Sequence, residues 1–372
     1  MSFKENNWFE IQDLDLQDTP ALVIYLDRVK HNLHQLIEGI DDIDRLRPHV
    51  KTHKSKEITA LMVEAGISKF KCATIAEAEM LGICNCKDAL LAYQPVGPKL
   101  DRFIELIKKY PNTSYSCLVD NLTSATQISA IAQLNKLTIS VYIDLNVGMN
   151  RTGVGCDERA VALFEAIAKF PNLKVIGLHA YDGHVDERSL AKRTLLCTEI
   201  MDKVTQVNIK LKDMGFSPKL IMGGSPSFSI YAKFGTVECS PGTFVLWDKN
   251  YLDTIPELNM LPAALVVGRL ISKPDHDKVC LDIGHKSVAA ENPLKLRISF
   301  LNAPRLEIVG QSEEHLVLRA PEDSSHQIGD AFYGLPMHIC PTCALYESAS
   351  IVEKGKIIAK WNIIARDRTI SI

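Results

Sequence analysis

The chain has 372 residues, 46% of them hydrophobic and 23% charged, and a net charge of -3 at pH 7. That is an ordinary globular composition, long enough for one large barrel with a smaller domain or for two domains. The mild negative charge argues against a nucleic-acid or anionic-membrane binder, and no apolar run is long enough to cross a bilayer.

A strand at 21–26 and a helix at 27–40 precede the eight barrel strands and can belong partly to the second domain. Short β-branched runs then predict strands at 43–50, 69–74, 88–93, 114–119, 138–144, 174–180, 219–223 and 239–246. Amphipathic stretches lie between them at 57–65, 100–109, 124–134, 160–170 and 189–214. Eight strands separated mostly by helices fit a closed (β/α)8 TIM-type barrel better than an open doubly wound sheet. After about residue 255 the strands crowd together, at 265–271, 278–282, 296–300, 306–309, 315–319, 350–352 and 356–364. With no long helix between them they predict a C-terminal all-β domain. The expected division is a barrel over 20–254, with 1–19 and 255–372 forming the β domain. Residues 1–7 lack a basic segment followed by an apolar core, and the ten cysteines are scattered. The expectation is a cytoplasmic protein with reduced thiols.

Candidate chemistry begins at Arg47-Pro48-His49-Val50-Lys51-Thr52-His53-Lys54, where five of eight side chains are basic or imidazole. A lysine crowded by cations at a strand end suits Schiff-base chemistry. A basic loop that binds a phosphate, or nothing, explains the run as well, and spacing does not choose Lys51 over Lys54. The segment 144–153 follows another strand end, and its glycines and asparagines allow a tight turn. Such a turn either aims Arg151 across a barrel mouth or leaves it solvated. His179 and Tyr181 alternate onto one face of the next strand. Tyr181 is the better placed to touch a ligand, since a core position is the commoner fate of a histidine like His179.

Gly223, Gly224 and Ser225 follow the seventh strand, and Gly242 and Thr243 follow the eighth. Amides at these two turns are where a barrel cradles a phosphate, although a plain turn explains Gly-Gly-Ser by itself. In the β domain, His338 and Cys340 on an extended segment would face one side and offer an imidazole and a thiolate to one ion. That pair suits zinc; the alternative is a buried thiol beside an unrelated histidine. Cys340-Pro341-Thr342-Cys343 also has redox spacing, but no thioredoxin-like unit surrounds it. Cys84 and Cys86 have no partnered histidine nearby and read as structural.

Together these segments resemble the fold-type III pyridoxal-phosphate enzymes of the D-threonine aldolase and D-serine dehydratase group, relatives of alanine racemase. The similarity runs from 18–22 through 47–54, 144–153, 179–183 and 223–227 to 281–287, 312–315 and 338–342. Carried over by position, it implies Lys51 as the Schiff-base lysine of pyridoxal 5'-phosphate. Gly223, Gly224, Ser225, Gly242 and Thr243 would then surround the phosphate, with Arg151 and Tyr181 at the ring. His338 would be one ligand of Zn2+ or another divalent ion. The next ligand position is aspartate in the best-known aldolases and cysteine in zinc-dependent D-serine dehydratases; here it is Cys340. His53 and His179 are the candidates for moving protons. Two departures stand out: the glycine loop continues Ser-Pro-Ser where a threonine is common, and Cys343 stands where the pattern has no thiol.

The resemblance implies a small D-amino acid substrate and a homodimer. The expected activity is that of a D-serine dehydratase, giving pyruvate and ammonia. The alternative is a D-threonine aldolase, giving glycine and an aldehyde. A racemase needs a second base and no metal, so the His338 and Cys340 pair weighs against it. The long β domain weighs against a non-catalytic cofactor carrier.

Overall fold

The computed structural model describes residues 7–372, and the chain divides into two compact units. One holds Leu36–Gly242 with Asp367–Ile372; the other holds the chain up to Gln35 with Thr243–Arg366. The boundaries therefore fall at 35/36 and 242/243 rather than at 19/20 and 254/255. Strand β1 (Ala21–Tyr25) shows why: it is buried along its whole length and pairs with strands at Ala264–Asp275 and Ser348–Glu353 of the second unit. Helix α1 (Leu26–Glu38) follows it. The last residues join the first unit, where Ser371 N and Ile372 N donate to the Glu79 carboxylate at 3.1 and 3.2 Å.

In the first unit, parallel strands alternate with helices. After α2 (Lys56–Glu64) come β2 (Lys69–Cys72), α3 (Ile75–Ile83), β3 (Asp88–Leu91), α4 (Pro98–Lys109), β4 (Ser114–Val119) and α5 (Leu122–Leu134). Then follow β5 (Ile139–Asn146), the two-residue β6 (Val154–Gly155), α6 (Glu158–Ala168), β7 (Leu173–Ala180), α7 (Leu190–Asp213), β8 (Lys219–Met222), α8 (Phe228–Tyr231) and β9 (Val237–Cys239). Local chemistry starts the helices: Ser55, Thr74, Asn121 and Ser189 each accept a backbone N–H of the first turn. The strands lie in the order β2-β3-β4-β5-β7-β8-β9 and are parallel throughout.

Residues 46–50 close the ring between β9 and β2. Arg47 N donates to Cys239 O and His49 N to Pro241 O; on the other side Lys71 N donates to Pro48 O and Val50 N to Lys71 O, all at 2.9 Å. The strand expected at 43–50 is thus reduced to isolated bridges, Leu46 with Cys239 and His49 with Lys71. Pro48 has no N–H to continue the ladder, and 43–45 is a tight turn capped by Asp42. The eighth strand lies earlier than the expected 239–246, because the chain turns at Pro241 and Gly242 and coils again over Thr243–Val245. The unit is a TIM-type (β/α)8 barrel whose first stave survives only as this bridged segment.

Alternation along the strands sorts the interior into layers. Near the N-terminal strand ends, Arg47 donates to Glu238 Oε2 at 2.7 Å and to the two Asp88 oxygens at 2.5 and 3.1 Å. Lys69 Nζ reaches the other Glu238 oxygen at 2.8 Å. Burial opposes the Arg47 charge, but Asp88 and Glu238 more than offset it and hold the guanidinium above its ordinary value. Beyond this layer Leu90, Leu118, Tyr142 and Ile221 pack as an apolar plug. Two residues after Lys69, Tyr142 and Gly177 come Lys71, Asp144 and His179, so charge returns at the C-terminal rim.

The second unit continues with α9 (Lys249–Thr254), β10 (Ala264–Asp275), β11 (Lys278–Leu281), β12 (Ile298–Phe300), β13 (Glu307–Gln311), β14 (Leu316–Arg319) and β15 (Ala331–Pro336). It ends with α10 (Ile339–Cys343), β16 (Ser348–Glu353) and β17 (Lys356–Asn362). Its sheet runs β13-β14-β11-β10-β1-β16-β17, with β15 pairing both β10 and β12. β10 is apolar on both faces: Val266 joins a cluster with Leu281, Ile298 and Phe332, while Leu265 and Val267 join Val23, Tyr25 and Tyr333. The sequence reading misses β15, whose Gly334 and Pro336 look like turn residues. Gly334 is there for space, since a Cβ would lie 2.1 Å from Ile298 Cδ1. All ten cysteines are free thiols. Among the described residues no helix is long and apolar enough to cross a membrane.

Replacing Arg47 by Met leaves Asp88 and Glu238 facing each other without their shared cation. The expected loss is about 3 kcal/mol of stability, read as a lower urea midpoint at unchanged slope. A midpoint equal to the wild type would show that the ion pairs do not hold the ring closed.

Candidate active site

Lys51 lies in the turn that follows the bridged segment, half-buried, with its backbone N–H donated to His49 Nδ1 at 3.2 Å. Its Nζ is 5.8 Å from the centre of the Tyr181 ring; Lys71 Nζ is at 5.5 Å and the Arg151 guanidinium carbon at 5.2 Å. Three cations converge on one phenol at the rim where barrels place their chemistry. Lys54, which spacing could not separate from Lys51, turns away with a φ of 51° and pairs with the buried Glu77 carboxylate. His53 is fully buried, accepts the Ser55 N–H at Nδ1 (3.1 Å), and is pushed down to about 3 chiefly by desolvation. Burial thus favours its neutral form.

His179 is the centre of a buried chain of contacts. Its Nδ1 is 2.8 Å from Asp144 Oδ1, and its Nε2 is 3.3 Å from Lys71 Nζ. With the carboxylate accepting, the imidazole proton is assigned to Nδ1, and Nε2 faces the lysine as acceptor. Burial, then Lys71, pushes His179 down; Asp144 opposes them. Burial also opposes the Asp144 charge, but His179 and Thr152 hold that carboxylate below its usual range. Lys71 is pushed down to about 7, first by desolvation and then by Lys51. Sequence reading missed Lys71. The available signal was its spacing two residues from Lys69, which places both on the inward face of a barrel strand. A small cavity opens beside this group, lined by Ala92, Leu118, Asp144, Met149, Arg151 and Tyr181.

The turns after β8 and β9 form a cup. Gly223 has φ of +74°, and a Cβ there would lie 2.7 Å from both Ser227 Oγ and Tyr231 Cδ2, so only glycine fits. Gly224 N donates to Ser227 Oγ at 3.1 Å, and Gly242 N to Ser225 Oγ at 3.2 Å, which ties one turn to the other. Ser240 Oγ is buried nearby in sequence without a hydrogen-bond partner. Close-packed glycines, buried hydroxyls and an unpartnered donor suit a phosphate. Thr243 is differently engaged: its hydroxyl meets Cys340 Sγ at 3.5 Å in the second unit.

His338 and Cys340 do not lie on an extended segment. His338 caps the short helix α10, because Ile339 N donates to Asp248 Oδ2 at 3.1 Å and Thr342 Oγ1 to His338 O at 2.8 Å. Their side chains nonetheless meet in a hydrogen bond. Desolvation lowers His338, but the Cys340 thiolate and Glu291 more than offset it and push the imidazole to about 9. Desolvation likewise raises Cys340, and His338 outweighs it, so the thiol is held below its ordinary value. Glu291 Oε1 lies 2.7 Å from His338 Nδ1, which leaves Nε2 and the thiolate as donors. An imidazole oriented by a carboxylate, beside a thiol held below its ordinary value, offers two ligands of the kind a divalent metal takes. Cys343 is fully buried and forms no disulfide with Cys340.

Residues 24–237 match the family model for the alanine racemase N-terminal domain, and residues 263–352 that for a putative serine dehydratase domain. The chain is 28% identical to the D-threonine aldolase of Arthrobacter sp, over 94% of this chain and 93% of that one. Among solved structures, D-threonine aldolase from Filomicrobium marinum superposes with a TM-score of 0.88 at 26% identity, covering 96% of this chain and 97% of that one. A cysteine-to-alanine variant of D-threo-3-hydroxyaspartate dehydratase, in its metal-free form, superposes with a TM-score of 0.82 at 22% identity, covering 94% and 99%.

The imidazole–thiolate contact has a chemical signature. In metal-free protein at pH 7, iodoacetamide is expected to alkylate Cys340 at least about ten times faster than Cys84 or Cys156. Those two are also half-buried, but burial holds their thiols at about 11. His338→Ala slows Cys340, and added Zn2+ protects it. Peptide mass spectrometry reads all three rates, and preferential labelling of Cys84 or Cys156 would contradict the pairing.

Proposed function

Because the chain belongs to the alanine racemase-like family of fold-type III pyridoxal-phosphate enzymes, we propose that it is a metal-assisted lyase that splits the Cα–Cβ bond of a β-hydroxy-D-amino acid. D-threonine is the first substrate to test. The observation that carries this reading is the Lys51 amine turned toward Tyr181 at the rim while Lys54 is taken up by Glu77. Likeness to a D-threonine aldolase along nearly the whole chain supports the choice of bond.

When bound, pyridoxal phosphate supplies an electron sink for charge developing at Cα, and a divalent ion supplies a Lewis acid for a hydroxyl. The chain supplies the rest. Lys51 would hold the cofactor aldehyde through Nζ, an amine that could also carry a proton. Gly223, Gly224, Ser225 and Gly242 would hold the phosphate, and Arg151 and Tyr181 the ring. Asp144 keeps the His179 proton on Nδ1, so Nε2 remains an acceptor. His338 and Cys340 would hold the metal, zinc by their donor types, with Glu291 orienting the imidazole. His53 accepts the Ser55 N–H at Nδ1 and would act, if at all, as a neutral imidazole.

Cys340 favours a second reading. Cysteine at this position is the pattern of the zinc-dependent D-serine dehydratases. The two activities differ in which proton leaves first. A base that takes the hydroxyl proton breaks the carbon–carbon bond; one that takes the Cα proton expels the hydroxyl.

The test offers D-threonine, D-serine and D-threo-3-hydroxyaspartate to protein supplied with pyridoxal phosphate and Zn2+, scoring glycine and aldehyde against keto acid and ammonia. Glycine from D-threonine is expected, together with a visible absorbance band. Lys51→Ala removes the band and at least about a hundredfold of the rate, and His338→Ala makes turnover depend on far higher metal. Keto acid from D-serine, with no glycine from D-threonine, transfers the conclusion to the second reading. Turnover that survives Lys51→Ala sinks both.

A further inference from the structure

Lys71 is 3% exposed, and its Nζ is 3.3 Å from an imidazole nitrogen, 5.5 Å from the Tyr181 ring centre, and on the inward face of β2. Taking an ammonium out of water is costly unless an opposite charge or a full set of acceptors receives it. Here the contact at hydrogen-bond distance is His179 Nε2, itself tied to Asp144 through Nδ1 at 2.8 Å. A methionine would fill the same volume without that cost. Asp144 and Asp182 favour the charge, but desolvation outweighs them; a ligand carrying negative charge beside the amine would supply what the fold leaves short.

We propose that Lys71 is a second lysine of the cofactor pocket, a positioning residue that presents a positive charge to the cofactor ring without forming the covalent bond. The proposal rests on the reading of this barrel as a pyridoxal-phosphate site. The division of labour follows from the groups around Tyr181. The glycine–serine turns provide for the phosphate, and Lys51 for the aldehyde. The remaining anionic atom of the cofactor is its ring oxygen, which an ammonium matches in charge and donor capacity. Asp144 and His179 orient that ammonium in a line of two hydrogen bonds, the usual way a buried charged group is held at a fixed angle.

The charge on Lys71 is also adjustable. Lys51 and Arg47 disfavour it, Asp144 and Asp182 favour it, and His179 and His49 face the same amine from β7 and the bridged segment. Desolvation and these neighbours bring it to about 7, so an anion bound beside it would draw a proton onto it near neutral pH.

The test uses the full chain without cofactor and three variants, Lys71→Met, Lys71→Gln and Lys71→Arg. The probes are 4'-deoxypyridoxine 5'-phosphate, which keeps the ring oxygen and phosphate but has no aldehyde, and inorganic phosphate alone. Lys71→Met is expected to weaken the deoxypyridoxine compound by about tenfold or more, with Lys71→Arg restoring most of the loss and inorganic phosphate binding unchanged in all. With pyridoxal phosphate added, the visible band should shift with pH above neutrality in the wild type, since a bound anion raises the Lys71 amine from about 7, and lose that dependence in Lys71→Met. Should Lys71→Met not fold, Lys71→Gln carries the same expectations. If the wild type forms a Lys51-dependent band and the neutral variants bind the deoxypyridoxine compound equally well, Lys71 has no role at the ring while the functional reading stands. If the wild type forms no band and binds neither probe, the functional reading falls and this proposal with it.

Discussion

Arg47 carries a full positive charge into the closed end of the barrel, and Glu238 from β9 and Asp88 from β3 receive it there. A buried guanidinium is tolerated only when both its faces meet acceptors in good geometry. That demand sets the register of residues 46–50, the one stave that proline prevents from forming a regular ladder. A slip by one residue would turn Arg47 outward and bring Pro48 in. Lys51 comes four residues after Arg47, so the same constraint that closes the barrel at its base delivers the amine to its rim.

Between base and rim the barrel uses the same alternation three times. Charged pairs at the bottom, an apolar layer of Leu90, Leu118, Tyr142 and Ile221, and a second charged group of Lys71, Asp144 and His179 follow one another at two-residue steps. The apolar layer separates the two charged groups and keeps the upper one in a medium where each contact is electrostatically strong. Asp144, His179 and Lys71 belong to three strands and fall together because β5, β7 and β2 present their inward residues at the same height. The parallel register of Asp144 beside His179 shows this directly.

The second unit builds its pair of donors differently. A one-turn helix, held by Asp248 at its start, brings His338 and Cys340 into contact and leaves Glu291 and Thr243 to orient the imidazole and the thiol. The side-chain contact that two-residue spacing suggests is therefore present, although the extended backbone that spacing assumes is not. His338 is the N-cap and keeps extended dihedrals, so its side chain still meets that of Cys340 although the helix begins at Ile339. The alanine racemase N-terminal model covers the barrel, and the putative serine dehydratase model covers most of the sheet domain.

The order of barrel and sheet, most of the strands and the glycine turns were legible from periodicity and turn chemistry, because those signals are local. Family likeness in the motifs around Lys51, Gly223 and His338 then narrowed the chemistry. Proline at 48 and the turn at 241–242 hid the true limits of the first and last staves, and β1, read as an extra strand ahead of the eight staves, could be assigned to neither sheet because an all-apolar run fits both. What local pattern could not reveal is which charges pair. Lys51 and Lys54 are not distinguished by spacing in the sequence; in the fold Glu77 takes up Lys54 while Lys51 faces Tyr181. Lys71 looks like an ordinary strand lysine until folding brings it against His179. Local spacing determines where a side chain can point, whereas a charge acquires its role from partners that lie far along the chain, and only the folded barrel brings those partners within reach.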